Sequence, residues 1–220
     1  MKPEQPPLRP ITERRRQRMI DVLQRRQPDL TVVLENVHDP HNISAVLRSC
    51  EAVGIGEVHL IYTVEERPKL SRVVAAGTLR WLDIVNHPSI EACYAALRSR
   101  GFTIYATHLD ENRHELFDLD LTQPSALVFG NEQRGVSPEA VAAADATMII
   151  PMMGMVQSLN ISVACAVTLY EALRQRRAAG YYDQSRLSAG EIETRLNAWL
   201  RRERRVTPAA PVDSAPDRQG

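Results

Sequence analysis

The chain reads as α/β: a mostly parallel sheet with helices on both faces, flanked by further helices at its two ends. Three observations predict this. Short apolar runs alternate with stretches of helical periodicity along most of the 220 residues, which is the pattern of strand–helix–strand units. Several runs, such as Thr31 to Val37 and Ala126 to Phe129, are almost continuously apolar instead of alternating, as strands covered on both faces are. With 44% hydrophobic residues, the chain can also bury a full core.

The first element is a helix from about Thr12 to Arg26. Strands are predicted at Thr31 to Val37, Glu57 to Tyr62, Trp81 to Val85, Phe102 to Ala106, Ala126 to Phe129 and Thr147 to Ile150. Between them, helical patterns occupy Asn42 to Val53, Ser89 to Ser99 and Pro138 to Ala143, and a long helix runs from about Ser158 to Ala178. Ser188 to Arg205 repeats apolar residues at helical spacing, with Ile192, Leu196, Trp199 and Leu200 on one side. Met1 to Pro10 and Thr207 to Gly220 are rich in proline and poor in large apolar side chains, the composition of disordered tails. The expected organisation is therefore a tail over 1–10, a basic helix over 11–29, a central domain over 30–180, a helical extension over 181–206 and a second tail over 207–220.

Net charge is zero, but the charges are segregated. Residues 1 to 30 hold eight basic side chains against four acidic, and residues 170 to 205 hold nine against five. Residues 31 to 169 carry nine basic against sixteen acidic. Local clusters, not the total, determine affinity for phosphates. Arg15, Arg18 and Arg26 at one end and Arg174 and Arg176 at the other are the candidate contacts for a polyanion. Taken alone, either cluster also fits a solvated helix face.

No apolar run approaches the roughly 18 residues that span a bilayer, and the N-terminus lacks the apolar stretch of a signal peptide. The expectation is a cytosolic protein. Cys50, Cys93 and Cys165 are odd in number and far apart, so they fit neither a disulfide framework nor a zinc site and read as buried thiols. His38 and His41 lack further ligands nearby, and no metal is expected. His59, His87, His108 and His114 carry no interpretable signal in sequence.

Three segments carry the chemistry. In Ile149 to Ala164, IIPMMGMVQSLNISVA, a strand ends at Ile150, Pro151 stops it, Gly154 allows a bend or a close approach, and Ser158 offers a helix N-cap. Such an apolar loop with a few polar groups suits the floor of a small-molecule pocket, and equally a buried connection with ordinary capping. Ala126 to Gly135, ALVFGNEQRG, runs from a strand into a loop with Gly130, Gly135 and the carboxylate of Glu132. Asp39 to Gly54, DPHNISAVLRSCEAVG, offers Asn42 or Ser44 as cap, an apolar stripe at Ile43, Val46 and Leu47, and a single Arg48 one turn beyond.

Together, Asn42 and Arg48, the pattern GNExxG and the pattern IPMxGxxxSLNxSxA resemble the three motifs of the SPOUT class of RNA methyltransferases. They are closest to its tRNA (guanosine-18) 2′-O-methyltransferase branch. RRQPDLTVVLENVHDPHN, YATHL at Tyr105 to Leu109 and YEALRQRRAAGYY at Tyr170 to Tyr182 are also similar to that branch, so the resemblance spans about residues 12 to 205.

The resemblance implies a C-terminal trefoil knot, to which general topology rules alone assign almost no weight. It implies methyl transfer from S-adenosylmethionine to a ribose 2′-hydroxyl of tRNA by a homodimer whose active site both subunits complete. The cofactor would be held by Thr107, Leu109, Gly130, Glu132, Gly135, Ile150, Met152, Ser158 and Leu159. The family's proposed mechanism makes Arg48 the base. Guanidinium groups have a pKa above 12, so a mixed role fits better: orienting the nucleotide, stabilising the developing alkoxide and passing the proton on. Asn42 and Asn160 would hold Arg48 or the ribose, Glu132 and Ser158 complete the catalytic set, and His41 would contact RNA. Without the resemblance, Asn42 is a helix cap and Arg48 an exposed helix residue. Two other functions stay in view, a 2′-O-methyltransferase for another tRNA or rRNA position and a non-catalytic RNA-binding protein on the same fold. The first is disfavoured because Met1 to Asp29 is short for a separate RNA-binding domain, the second because Asn42, Arg48 and Asn160 are all present.

Overall fold

A computed structural model of the chain describes residues 11–66, 68, 77–110 and 113–206, and for 204–206 the backbone only. Both expected tails lie outside the described residues. The elements follow as α1 (Glu13–Leu23), β1 (Leu30–Glu35), α2 (Pro40–Ala52), β2 (Glu57–Ile61), β3 (Asp83–His87), α3 (Ile90–Arg98), β4 (Thr103–Thr107), β5 (His114–Glu115), β6 (Ser125–Phe129), α4 (Pro138–Ala143), β7 (Ala146–Ile149), α5 (Ile161–Ala178) and α6 (Ala189–Val206). The strands form one sheet in the order β3-β2-β1-β6-β4-β7-β5. Every pairing in it is parallel.

All six residues of β1 are buried, because β1 lies mid-sheet with helices on both faces. On one face Leu30, Val32 and Leu34 pack with Ile43, Val46, Leu47 and Cys50 of α2 and Cys165, Leu169 and Ala172 of α5. On the other, Val33 and Ile61 pack with Ile90, Cys93, Tyr94 and Leu97 of α3 and Ala140 of α4. A third cluster joins the chain's ends: Met19 and Leu23 of α1 meet Leu196 and Trp199 of α6, with Trp81 alongside.

Several expectations need correction. Helix α1 is capped by the Thr12 hydroxyl and ends at Leu23, so Arg25 and Arg26 lie in the turn beyond it. Strand β3 starts two residues later than predicted, since Trp81 is drawn into edge contact with Trp199 and Leu82 is buried before the strand begins. The two-residue strand β5 pairs only with β7 and is too short to show a period in sequence. Neither Asn42 nor Ser44 caps α2. Asp39 does so, accepting from the His41 N–H, with Pro40 in the first turn. Neither does Ser158 cap α5, whose N-cap is Asn160 through a bond from the Ser162 N–H.

Arg26 and Arg176, expected to bind phosphates, are 2% and 0% exposed. Arg176 donates from Nε to the Leu121 carbonyl (2.8 Å), from Nη1 to Asp29 Oδ1 (2.6 Å) and Gln27 Oε1 (3.2 Å), and from Nη2 to the Asp29 and Gln123 carbonyls (3.2 and 3.0 Å). It pins the end of α5 to the segments that enter β1 and β6. Arg26 donates to the Ile55 and Trp81 carbonyls and stacks over Trp199 at 5.2 Å. Both arginines are structural ties between elements, and no face of either is left for a polyanion.

Breaking a buried, multiply bonded cation costs about 3–5 kcal/mol. Arg176→Ala should therefore lower the urea unfolding free energy by about that amount, whereas exposed Arg177→Ala should change it by less than about 0.5 kcal/mol. Equal effects of the two would contradict the structural role given to Arg176.

Candidate active site

Parallel strands put all their carboxyl ends on one edge, where open α/β sheets bind ligands. Here the neighbours β1, β6, β4 and β7 deliver to that edge the loop before α2, the loop Gly130–Gly135, the Thr107–Leu109 segment and the Pro151–Leu159 segment. All three chemical segments of the sequence thus arrive together.

The Glu132 carboxylate joins them. Its Oε2 accepts from the His38 N–H (3.1 Å), and Oε1 accepts from the Asp39 N–H (3.1 Å) and from Asn42 Nδ2 (3.1 Å). Asn42 Oδ1 accepts from Asn160 Nδ2 at 3.1 Å. Asn160 Oδ1 in turn accepts from the Ser162 N–H and hydroxyl at 2.9 and 2.6 Å. Partial burial works against the charge on Glu132, but the bonds from Asn42 and from the His38 and Asp39 amides outweigh it, holding the carboxyl below its ordinary range.

Below this chain a second one secures the loops. Asn131 donates from Nδ2 to the Asn36 carbonyl (2.9 Å), and its Oδ1 accepts from the Gln133 and Arg134 amides. Asn36, at φ 51°, accepts through Oδ1 from the amides of Thr63, Val64 and Glu65. Asn131 and Gly135 exchange backbone bonds of 3.0 and 2.8 Å. A Cβ on Gly130 would lie 2.1 Å from the Gly135 carbonyl, and Gly135 has φ 69°. These glycines were expected to admit a ligand, but what closely approaches Gly130 is the chain's own backbone. Sequence reading missed Asn36 and Asn131, although an Asn ending one strand and another after Gly130 was available as a turn signal.

Arg48 does not join the amide chain. The two asparagines bind each other and Glu132 instead of the guanidinium, which is exposed and makes no hydrogen bond or ion pair among the described residues. With the cap at Asp39, Arg48 lies more than two turns into α2, not one. It shares a helix face with exposed His41 and Ala45. Gly154 has open space at its Cβ position and no positive φ, so nothing in the chain itself requires glycine there. Met152, Leu159 and Ile150 are half-buried, Ser158 is exposed, and Thr107 bonds back to the Val128 carbonyl. Leu109, Met153 and Met155 stand 65%, 94% and 100% exposed. Among the described residues, the main-chain N–H groups of residues 152–159 donate to no protein group. Arg15 pairs with Glu203 at 3.0 Å and Arg174 with Glu171 at 2.8 Å, both remaining at the surface. Exposed Arg14, Arg18, Arg25 and Arg177 have no such pairing among the described residues.

The profile of the SpoU rRNA Methylase family matches residues 29–170. A tRNA (guanosine(18)-2′-O)-methyltransferase of Thermus thermophilus is 49% identical over 195 residues, covering 89% of this chain and all of that one. The crystal structure of the Aquifex aeolicus TrmH/SpoU tRNA modifying enzyme superposes with a TM-score of 0.81 at 39% identity, covering 87% of this chain and 97% of that one. That of the SpoU methyltransferase AviRb from Streptomyces viridochromogenes, in complex with the cofactor AdoMet, gives 0.62 at 30% identity over 71% and 61% of the two chains.

Glu132→Gln replaces one acceptor oxygen by a donor facing N–H groups. It should cost about 1 kcal/mol at pH 7, a Tm loss of about 2–4 °C for a chain of this size. Because the folded pKa is lowered, the wild-type advantage is complete above the unfolded value of about 4.3 and is lost as pH falls through the folded value. Melting of both proteins across pH 3 to 7 checks this, and a difference that does not shrink on acidification would refute it.

Proposed function

The chain belongs to the SpoU rRNA Methylase family, and from that premise we infer that it methylates the ribose 2′-hydroxyl of guanosine 18 in tRNA, the reaction its Thermus thermophilus relative is named for. The observation that carries this reading is the chain of bonds from Glu132 through Asn42 to Asn160. It gathers the polar residues of all three motifs at the carboxyl edge of the sheet, with Arg48 exposed on the same helix as Asn42.

S-adenosylmethionine, present in the AviRb complex, supplies a methyl group already activated on sulfur. Binding it is assigned to Thr107, Leu109, Gly130, Glu132, Gly135, Ile150, Met152, Ser158 and Leu159. The donor set fits: Ile150, Met152 and Leu159 offer an apolar wall for a purine and a thioether-like chain, and the unbonded amides of 152–159 can hold its polar groups. Glu132 acts on the loops, keeping them at a fixed spacing, while Gly130 and Gly135 make the tight turn on which that spacing depends. A threaded C-terminal knot is part of this proposal, supported by the likeness to the SpoU folds.

Arg48 is assigned to the substrate. With no partner among the described residues, its planar fork can bind the 2′-oxygen and the adjacent phosphate, orient the ribose and stabilise charge as the hydroxyl loses its proton. His41, exposed on the same face of α2 as Arg48, is assigned to the same RNA. Met153, Met155, Val156, Val163 and Tyr170 are large apolar side chains left exposed, which supports a homodimer that covers them. No helix among the described residues is long and apolar enough to cross a membrane, and a cytosolic site of action follows from the substrate.

Arg48→Ala should reduce methyl incorporation into tRNA by about 10²–10³-fold with the melting temperature unchanged, and Arg48→Lys should recover only part of it because lysine lacks the fork. Mass mapping of guanosine 18 provides the readout, and activity within a few-fold of wild type would remove Arg48 from the chemistry. For tRNA affinity, neutralising Arg14, Arg18, Arg25 and Arg177 should flatten the dependence of log K on log salt by roughly one unit per lost phosphate contact. Filter binding across a salt series tests that assignment, and an unchanged slope would place the RNA elsewhere.

A further inference from the structure

Away from the carboxyl edge, three potential ligands converge at the outer edge of the sheet. His59 on β2, His87 on the edge strand β3 and Cys93 on α3 each offer one ligand atom, and these atoms lie within 4.8 Å of one another. The register pairs His59 with Val85 and Ile61 with His87, so the two imidazoles are diagonal neighbours on the face that α3 covers. Their rings stack with centroids 5.1 Å apart, and His59 Nδ1 lies 2.8 Å from His87 Nε2. Two imidazole nitrogens on a tetrahedral zinc, at about 2.0–2.1 Å each, stand about 3.3 Å apart. The pair thus sits within about half an ångström of that spacing.

The surroundings of His59 point the same way. Its ring is 2% exposed, and on the side away from His87 its Nε2 faces Glu57 Oε1 at 3.2 Å. The N–H does not point along the line, however, and Nε2 has no well-formed hydrogen bond. The distance governs the electrostatics and the angle governs the bond. A histidine bound to metal through one nitrogen and backed by a carboxylate on the other is the common outer-shell arrangement of metal sites.

We propose that His59, His87 and Cys93 bind one zinc-like divalent cation through His59 Nδ1, His87 Nε2 and Cys93 Sγ, with Glu57 orienting His59 and the fourth position open past the half-buried His87. Two imidazoles and a thiolate are the borderline-soft set that selects such ions. The cation displaces the thiol proton, and the proton between the imidazoles moves to His87 Nδ1, so that both rings bind as neutral ligands. Its role is to staple an edge strand, held by a single neighbour, to the adjacent strand and to α3. It takes no part in methyl transfer.

Cobalt(II) is the probe. Titrated into the purified full chain, it should bind with one equivalent, give a thiolate-to-metal charge-transfer band and be displaced by zinc. Cys93→Ala should abolish the band, whereas Cys50→Ala should keep it. His87→Gln, at a half-buried position that tolerates the change, should weaken cobalt binding at least tenfold, and Glu57→Gln should weaken it by about 10–100-fold while retaining the band. Absence of saturable binding to the wild-type chain, a band that survives Cys93→Ala, or unchanged affinity in His87→Gln would each overturn the proposal.

Discussion

The arrangement of the candidate site depends on one carboxylate. Topology alone brings the ends of β1, β6 and β7 to a common edge, but it leaves the loops that follow free to splay. Glu132 removes that freedom by accepting three N–H donors from the turn and first residues of α2. Because Asn42 in turn accepts from Asn160, the same carboxylate also sets where α5 begins. Such charge-assisted bonds are roughly twice as strong as neutral ones, which matters where the loops between the strands and helices are short and exposed.

Helix α5 works as a strut between two polar networks. At its start Asn160 belongs to the Glu132 chain; toward its end Arg176 ties residues 27–29 and 121–123 at the opposite edge of the sheet. Between them Cys165, Leu169 and Ala172 pack on α2 and the sheet. The position of Asn160 at the site therefore rests partly on an arginine at the far end of the helix. This divides the arginines into two classes that sequence spacing does not separate. Arg25 and Arg26 are adjacent, as are Arg176 and Arg177. In each pair one is buried and the other is exposed. Burial is severe enough to lower the Arg26 pKa to about 10 despite its contact with Glu51.

Elements whose own residues dictate them were legible. Continuous apolar runs identified β1 and β6, and helical patterns over Ser89 to Ser99 and Pro138 to Ala143 identified α3 and α4, which Ser89 and Ser137 cap. Legibility failed where a distant contact decided the outcome. Ser158 reads as the cap of α5, but Asn160 takes that place, and its amide also reaches Asn42, a residue 118 positions away. Trp81 looks like the start of a strand, yet it is claimed by Trp199. At the site, the identities of Asn42, Glu132, Arg48 and Asn160 were visible from the motifs, but their connections were not. His59, His87 and Cys93 are spaced without any pattern in sequence, and only the pairing of β2 with β3 and the packing of α3 bring them together.

The connections also separate two jobs that the motifs run together. A guanidinium only donates, and the side-chain oxygens of Asn42 and Asn160 are already engaged, the first by Asn160 and the second by Ser162. Arg48 bonds to neither of them among the described residues, so the chain that holds the loops is complete without it. The polar network is a rigid platform, and Arg48 is a long side chain standing free on α2, carrying about 2 kcal/mol of rotamer entropy. Under the proposed function, the phosphate and ribose of the RNA would order it. In the proposed reaction, binding energy of the nucleotide would place this charged group. The proposed function thus assigns nucleotide recognition to the ordering of Arg48, while the amide chain holds the loops without it.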